Sequence, residues 1–347
     1  MSATDRAPSG TGRARRGRAA APPPIRPAIF ERRQREWVVA VAVLGALLPL
    51  LVQGLYGTGI MITSAIYGLL ALGFYFQLTL AGQFSLATVG FYAIGAYTSV
   101  WASQHGGFLV GLVTAVFVTG LIGTLLKLAL ARSPLIQFAI ATLAFGELTM
   151  IVMRNWTGFT GGGTGRYGIE TKIFGLALDT PREYFYLAFG VLVVGIGLAV
   201  LVERSPAQRD LIFARTMGDV ARTTGLPTRR LQAVAFGIGA GYMGAAGSLL
   251  AHTSAFIDPS SFHVEISLDV LLMLLLGGSG SIWGPPVGAV ILTLVPEWLR
   301  DLADYKELVY AVIILLVIVM LPGGLASLPE KVRARLTRRP PGGAVKR

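Results

Sequence analysis

The sequence predicts an all-α protein: a polytopic membrane helix bundle with about ten transmembrane spans. Three observations predict it. Hydrophobic residues make up 53% of the chain and charged residues only 14%, against about 25% charged in soluble domains. Apolar runs of about 20 residues follow one another, each long enough to cross a bilayer as a helix. The net charge of +12 is not spread over these runs, because the arginines gather in the two tails and one internal loop. That distribution argues against nucleic-acid binding. There is no cysteine, hence no disulfide, thiolate metal site or thiol nucleophile. His105, His252 and His263 are scattered without metal-ligand spacing.

The elements follow in order. Residues 1–36 form a basic, Pro-containing tail, expected to be disordered and to anchor the first span on the cytoplasmic side. The membrane region runs over 37–328. Its spans are expected at 37–53, 59–80, 84–102, 108–131, 134–153, 182–202, 231–252, 264–276, 285–299 and 307–321. Gly90, Gly95 and Ala96 in the third are small enough for close helix approach. Ser133 and Pro134 open the fifth. Thr180, Pro181 and Glu183 form a capping box that opens the sixth. The Gly-rich stretch 277–284 breaks the eighth from the ninth. Residues 329–347 are a second basic tail.

Positive charge orients these spans. With ten spans both termini share one side. Lys and Arg there number nine in the N-terminal tail, two at the turn from the fourth to the fifth span (Lys127 and Arg132), six in stretch 203–230 and seven in the C-terminal tail, 24 of the 30. Both tails and stretch 203–230 are therefore expected in the cytoplasm. The long loop 154–180, with Trp156, Gly161, Gly162 and Gly163, is expected outside.

Stretch 203–230 is the one long polar interval in the second half of the chain. Ser205, Pro206 and Gln208 read as an S-x-x-Q capping box at a helix start. Phe213, Met217, Val220 and Thr224 fall on one face. Gly225 suits a left-handed C-terminal cap, and Pro227 stops further helix. This is a basic amphipathic surface helix, read either as a simple connector or as a docking element for a cytoplasmic partner.

The membrane interior offers little for catalysis. Glu147 lies in the fifth span, and Glu265 and Asp269 share a face of the eighth. A carboxylate at that depth costs about 2.5–3.5 kcal/mol and usually faces the bundle interior or water. Neither a Ser–His–Asp arrangement nor a G-x-x-x-x-G-K-[ST] phosphate loop is present, so no catalytic residue and no metal site are assigned. Any ATPase must be another chain.

Three stretches carry a family resemblance: LTLAGQFSLATVGFYAIGAYTSV at 78–100, FAIATLAFGELTMIVMRNWTGFTGGGTG at 138–165 and LLMLLLGGSGSIWGPPVGA at 271–289. Together they resemble the LivM-type permeases of branched-chain amino-acid ABC importers, over roughly 59–328 and in the family's order. The resemblance implies a permease of the LivM/LivH fold in the bacterial cytoplasmic membrane. It implies a second permease of the LivH type, two ATPase subunits carrying ATP and Mg, and an extracytoplasmic solute-binding protein, with no cofactor in this chain. It implies an E-A-A-x-x-x-G-like coupling motif, matched here by Asp219, Val220, Ala221 and Gly225, with Asp in place of Glu and Val in place of the first Ala. Arg215, Asp219, Ala221 and Gly225 are thus the candidate ATPase-coupling residues. Gln83, Ser85, Glu147 and Asp269 are the candidates for the translocation path or its gate; Asp269 stands where the family often has Glu. Branched-chain amino acids lead as substrates, with urea, short amides or other amino acids as related possibilities. The alternatives are a stand-alone secondary carrier or channel, which would need its own coupling-ion site near the midplane, and a membrane scaffold.

Overall fold

Between Thr228 and Ser254 the chain carries glycines at 237, 239, 241, 244 and 247. In lipid, helices associate through backbone approach, and small residues permit it. That run accordingly becomes the centre of the bundle in the computed structural model. The structure describes residues 54–167, 171–173, 176–216, 221, 225–254, 256–299, 311, 312 and 315. Its main helices are α1 (Leu55–Tyr75), α2 (Thr88–Ala129), α3 (Leu135–Asn155), α4 (Pro181–Arg204), α5 (Pro206–Thr216), α6 (Thr228–Ser254), α7 (Glu265–Gly277) and α8 (Gly284–Trp298).

The central helix α6 packs against both halves of α2. A Cβ at Gly95 would lie 2.5 Å from the Gly244 carbonyl oxygen, and one at Gly244 would lie 2.9 Å from Ala115 O. The two halves of α2 therefore flank α6 from either side. They are joined by a bend at Gly106 and Gly107, where Gly107 takes φ +75°. The bend is a reversal: a Cβ at Gly111 would meet Ser99 O at 2.7 Å, which a straight helix would hold about 18 Å away. The third and fourth predicted spans are thus the two limbs of α2. α6 also packs on α1, crossing where a Cβ at Gly73 would sit 2.6 Å from Gly239 O. Phe76 stacks on Tyr242 beside this crossing, and Phe236 meets Phe91 and Phe138 edge-on.

Six helices among the described residues are long and apolar enough to cross a membrane: Leu55–Leu80, Thr88–Ala129, Leu135–Asn155, Pro181–Arg204, Thr228–Ser254 and Pro259–Gly277. The expected count of about ten is therefore not reached among them. The first span (37–53) and both tails lie outside the described residues, and so does nearly all of the last span. The predicted third and fourth spans are one bent helix, and α8 has only 15 residues.

Other local signals act as the sequence suggests. Thr180 Oγ1 accepts from the Glu183 N–H at 3.4 Å, and Glu183 Oε2 accepts from the Thr180 N–H at 3.1 Å, the reciprocal capping box of α4. By contrast α3 starts without a side-chain cap. Loop 154–180 is itself folded. A helical turn at Thr157–Thr160 is followed by β1 (Arg166–Tyr167), which pairs antiparallel with β4 (Phe256–Ile257), and by the small hairpin β2 (Lys172–Ile173) and β3 (Leu176–Ala177).

Replacing Gly244 with Val should cost about 1–3 kcal/mol of stability through overpacking against the α2 backbone. A drop of several degrees in the Tm of the detergent-purified protein would show it. The control is Gly190→Ala, whose Cβ meets nothing within 4 Å, and its Tm should not move.

Candidate functional site

The backbone leaves helical geometry just after α1. A π-helical turn, Phe76–Leu80, ends it, with the Ala81 N–H donating to Phe76 O at 2.9 Å. Such widened turns occur mostly at functional positions. Gly82 then takes φ +68°, and residues 82–87 carry no regular secondary structure before α2 starts at Thr88.

An unwound segment inside a membrane protein must find partners for its N–H and C=O groups within the protein. Side chains from two other helices supply them at Leu86. The Leu86 N–H donates to Thr142 Oγ1 of α3 at 3.0 Å. The Ser267 hydroxyl of α7 donates to Leu86 O at 3.2 Å and accepts from the Val89 N–H at 3.2 Å. Ser85, fully buried, accepts from the Ala87 N–H at 3.2 Å.

A second irregular stretch arrives at the same place. After β4 the chain makes a 3-10 turn at Pro259–Ser261, and Phe262 then packs edge-on to Tyr92 and against Tyr97 of α2. It enters α7 three residues later. The N-terminal ends of α2 and α7 therefore meet inside the bundle, and each brings the positive end of its helix dipole.

The candidate path residues divide by position. Ser85 is at the crossing. Gln83, half-buried, donates its N–H to Gln77 O at 2.9 Å. Asp269 is half-buried one turn into α7, within electrostatic reach of Tyr67, His263 and Glu265. Glu147 stands apart: Phe138, Thr142, Gly146 and Thr149 form the buried face of α3, whereas Glu147 is exposed beside Leu148 on the outward face. It does not point into the interior of this chain, against the usual placement of such a carboxylate.

Stretch 203–230 differs in detail from the expected helix. Ser205 does not use its hydroxyl as the expected cap; the hydroxyl donates to Val202 O at 2.7 Å and closes α4. The packed face of α5 is Leu211 and Ala214, with Ala221 beyond it, rather than the face of Phe213, which is only half-buried. Residues 217–220 and 222–224, Asp219 among them, lie outside the described residues. Gly225 takes φ +81°, and the Leu226 N–H donates to Ala221 O at 3.3 Å, the bond pattern of a glycine-ended helix.

Arg215 is exposed, and its guanidinium donates to Thr79 O at 2.6 Å, while its alkyl stem lies over Gly82. The Thr79 hydroxyl in turn donates to Ser279 O, in the turn between α7 and α8, at 3.4 Å. The Gly-rich break at 277–284 thus meets the end of the π-helical turn, three residues before Gly82. A Cβ at Gly284 would lie 2.8 Å from Gly277 O, so these glycines let α8 fold back closely on α7.

In loop 154–180, Trp156 is exposed and rests against Phe159. Gly161 and Gly162 take positive φ. The buried Thr160 hydroxyl bonds Met153 O and Trp156 O. Thr171 donates to His252 O at 3.0 Å, so the loop lies over the end of α6.

The description "branched-chain amino acid transport system / permease component" matches residues 57–321. The chain belongs to that family. It is 32% identical to the high-affinity branched-chain amino acid transport system permease protein LivM of Escherichia coli K12, covering 84% of this chain and 75% of the relative. The LivM protein of Salmonella typhimurium is 31% identical over the same shares. LivH of Escherichia coli K12 is 23% identical, covering 76% of this permease and 92% of LivH. No solved structure matches significantly.

Thr79, Thr142 and Ser267 of the permease were not singled out from sequence. Their signal is slight: isolated hydroxyl residues inside apolar runs. Ser267→Ala would leave Leu86 O without its donor and the Val89 N–H without its acceptor. Each lost bond in a buried setting is worth about 1–3 kcal/mol. Ser267→Ala is therefore expected to reduce uptake at least several-fold with normal membrane insertion, measured in vesicles. Ser267→Thr, which keeps the hydroxyl, should retain more uptake.

Proposed function

We infer that this permease subunit of a branched-chain amino acid importer is a multi-pass inner-membrane protein that pairs with a second permease of the LivH type. Two ATPase subunits dock on the side of α5, and a solute-binding protein docks on the side of loop 154–180. Both termini face the cytoplasm, the side on which the chain's Lys and Arg concentrate.

The observation that carries the reading is the connection from α5 to the unwound segment. Arg215 bonds Thr79, and Thr79 bonds Ser279. A push on α5 by an ATPase would thereby reach the foot of segment 82–87 and the α7–α8 turn together. Gln83 and Ser85 are the gate in this reading. Arg215, Ala221, Gly225 and, within the coupling motif, Asp219 form the ATPase-facing element. Glu147 then lies on the seam with the second permease: left facing lipid it would cost about 2.5–3.5 kcal/mol, and a polar path along a subunit seam removes that cost. Asp269 borders the same path from α7. The substrate is a branched-chain amino acid, as the names of the LivM relatives indicate.

Arg215→Gln is expected to uncouple the importer. Loss of a charged hydrogen bond of about 1.5–3 kcal/mol should lower uptake per ATP hydrolysed roughly ten-fold or more in proteoliposomes. Unchanged stoichiometry would remove α5 as the transmission element. On the outer side, a Cβ at Gly163 meets nothing within 4 Å, whereas Gly162 has φ +64° and a Cβ there would sit 2.9 Å from Thr157 Cγ2. Gly163→Val should weaken stimulation of ATP hydrolysis by the binding protein without altering the basal rate. Gly162→Val should also lower the Tm. An unaltered response to the binding protein in both variants would assign the loop a purely structural role.

A further inference from the structure

A cavity of about 700 Å³ opens on the side of the bundle between the second limb of α2, α4 and α6. Its floor is buried: Leu69 of α1, Gly195 of α4 and Gly237 of α6. Its rims are exposed aliphatic side chains, Leu121, Leu198 and Val234. The two hydroxyls on its wall are used internally, since Thr124 donates to Gly120 O at 2.8 Å and Tyr242 to Gly195 O at 2.7 Å. The groove therefore offers nothing to a polar solute.

All three walls end in a cation on the side that carries α5. The last residue of α4 is Arg204, Lys127 stands in the last turn of α2, and α6 opens with Arg229 and Arg230. Lys127 is buried with its ammonium 4.8 Å over the Phe138 ring. Arg229 and Arg230 are exposed. Arg230 precedes Val234 by one turn and Gly237 by two, so it continues the lining face of α6. Helical side chains lean toward their N-terminus, which carries the Arg230 guanidinium outward to headgroup level.

We propose that this groove seats one anionic phospholipid, with an acyl chain between α4 and the second limb of α2 and its phosphate on Arg230 and Arg229. Helices α4 and α6 are those that enter and leave stretch 203–230, so the lipid sits beside the two helices that flank α5 in the chain. The chain's own first span, 37–53, is the competing occupant. It would join α1 at Gly54, at the end where Tyr56 meets Glu297 of α8. Only Leu69 of α1 reaches the groove, and it does so from behind.

The test uses the assembled importer extracted from membranes of equal phosphatidylglycerol and phosphatidylcholine, with retained lipid counted by native mass spectrometry. Wild type should keep one phosphatidylglycerol in preference to phosphatidylcholine. Arg230→Gln should lower that retention about five-fold, the effect of one basic residue at an anionic surface. Leu198→Trp should abolish it by filling the groove; Val194→Phe takes its place if that variant does not assemble. Equal retention of both lipids, or persistence of phosphatidylglycerol in either class of variant, overturns the proposal. So does a disulfide between Ala42→Cys and Leu198→Cys, readable without background in a chain that has no cysteine, because the first span would then fill the groove.

Discussion

Leu86 sets the constraint on which the rest of the structure depends. Six residues of non-helical backbone, 82–87, lie within the bundle, where water cannot complete their hydrogen bonds. Their stability rests on side chains brought by other helices, and this fixes where those helices must be. Thr142 has to stand at the depth of the Leu86 N–H, which sets the height of α3. Ser267 has to reach Leu86 O, which forces α7 to begin inside the bundle rather than at its edge. The irregular stretch ahead of α7 follows as a consequence. It brings the chain down from β4 alongside Tyr97 and Tyr92 to the point where the helix starts.

Much of this fold was legible in the chain, and the limit has a physical origin. Apolar run length located the helices, and the local punctuation held at Thr180 and Glu183, the cap of α4, and at Gly225 with its positive φ, but not at Ser205, whose hydroxyl closes α4 instead. Facing was far less legible. In water a helix announces its buried face by polarity, but in lipid both faces are apolar. Glu147 therefore gave no sign that it points outward. The glycines of α6 do signal close packing, yet only the structure pairs each with a partner on α1 or α2. Thr142 and Ser267 were unreadable for a further reason. A hydroxyl in an apolar helix most often bonds back to its own preceding turn, as Thr119 and Thr149 do here, so its presence does not reveal a tertiary role.

Two kinds of contact hold the bundle, and they differ in how they yield. α2 and α6 meet backbone to backbone at Gly95 and Gly244, and again where Gly247 faces Tyr92 and Ala96. Such a contact leaves no room for sliding, because any shift drives main-chain atoms together. The hairpin of α2 and its central partner α6 behave as one rigid body. Segment 82–87 and the start of α7 are joined instead through hydroxyls to single backbone groups. A hydroxyl can rotate, exchange its acceptor or accept water, so this seam can open at a cost of a few hydrogen bonds of about 1 kcal/mol each.

If α5 is the coupling element as proposed, that difference decides where a force applied to it would go. Helix α5 is joined to the rigid body at one end of its stretch, through α6, and to the yielding seam by Arg215 on Thr79. Moving α5 against α6 cannot deform the α2–α6 contact, so the displacement is delivered to Thr79 and, through it, to Ser279. Gly82, with its positive φ beneath the Arg215 stem, is where the chain can swing, since glycine takes up such changes without a Cβ clash. The swing acts on the segment that ends at Leu86, where the two helix N-termini meet. A small motion at the surface thus reaches the interior through backbone that is already non-helical, and no intact helix has to break.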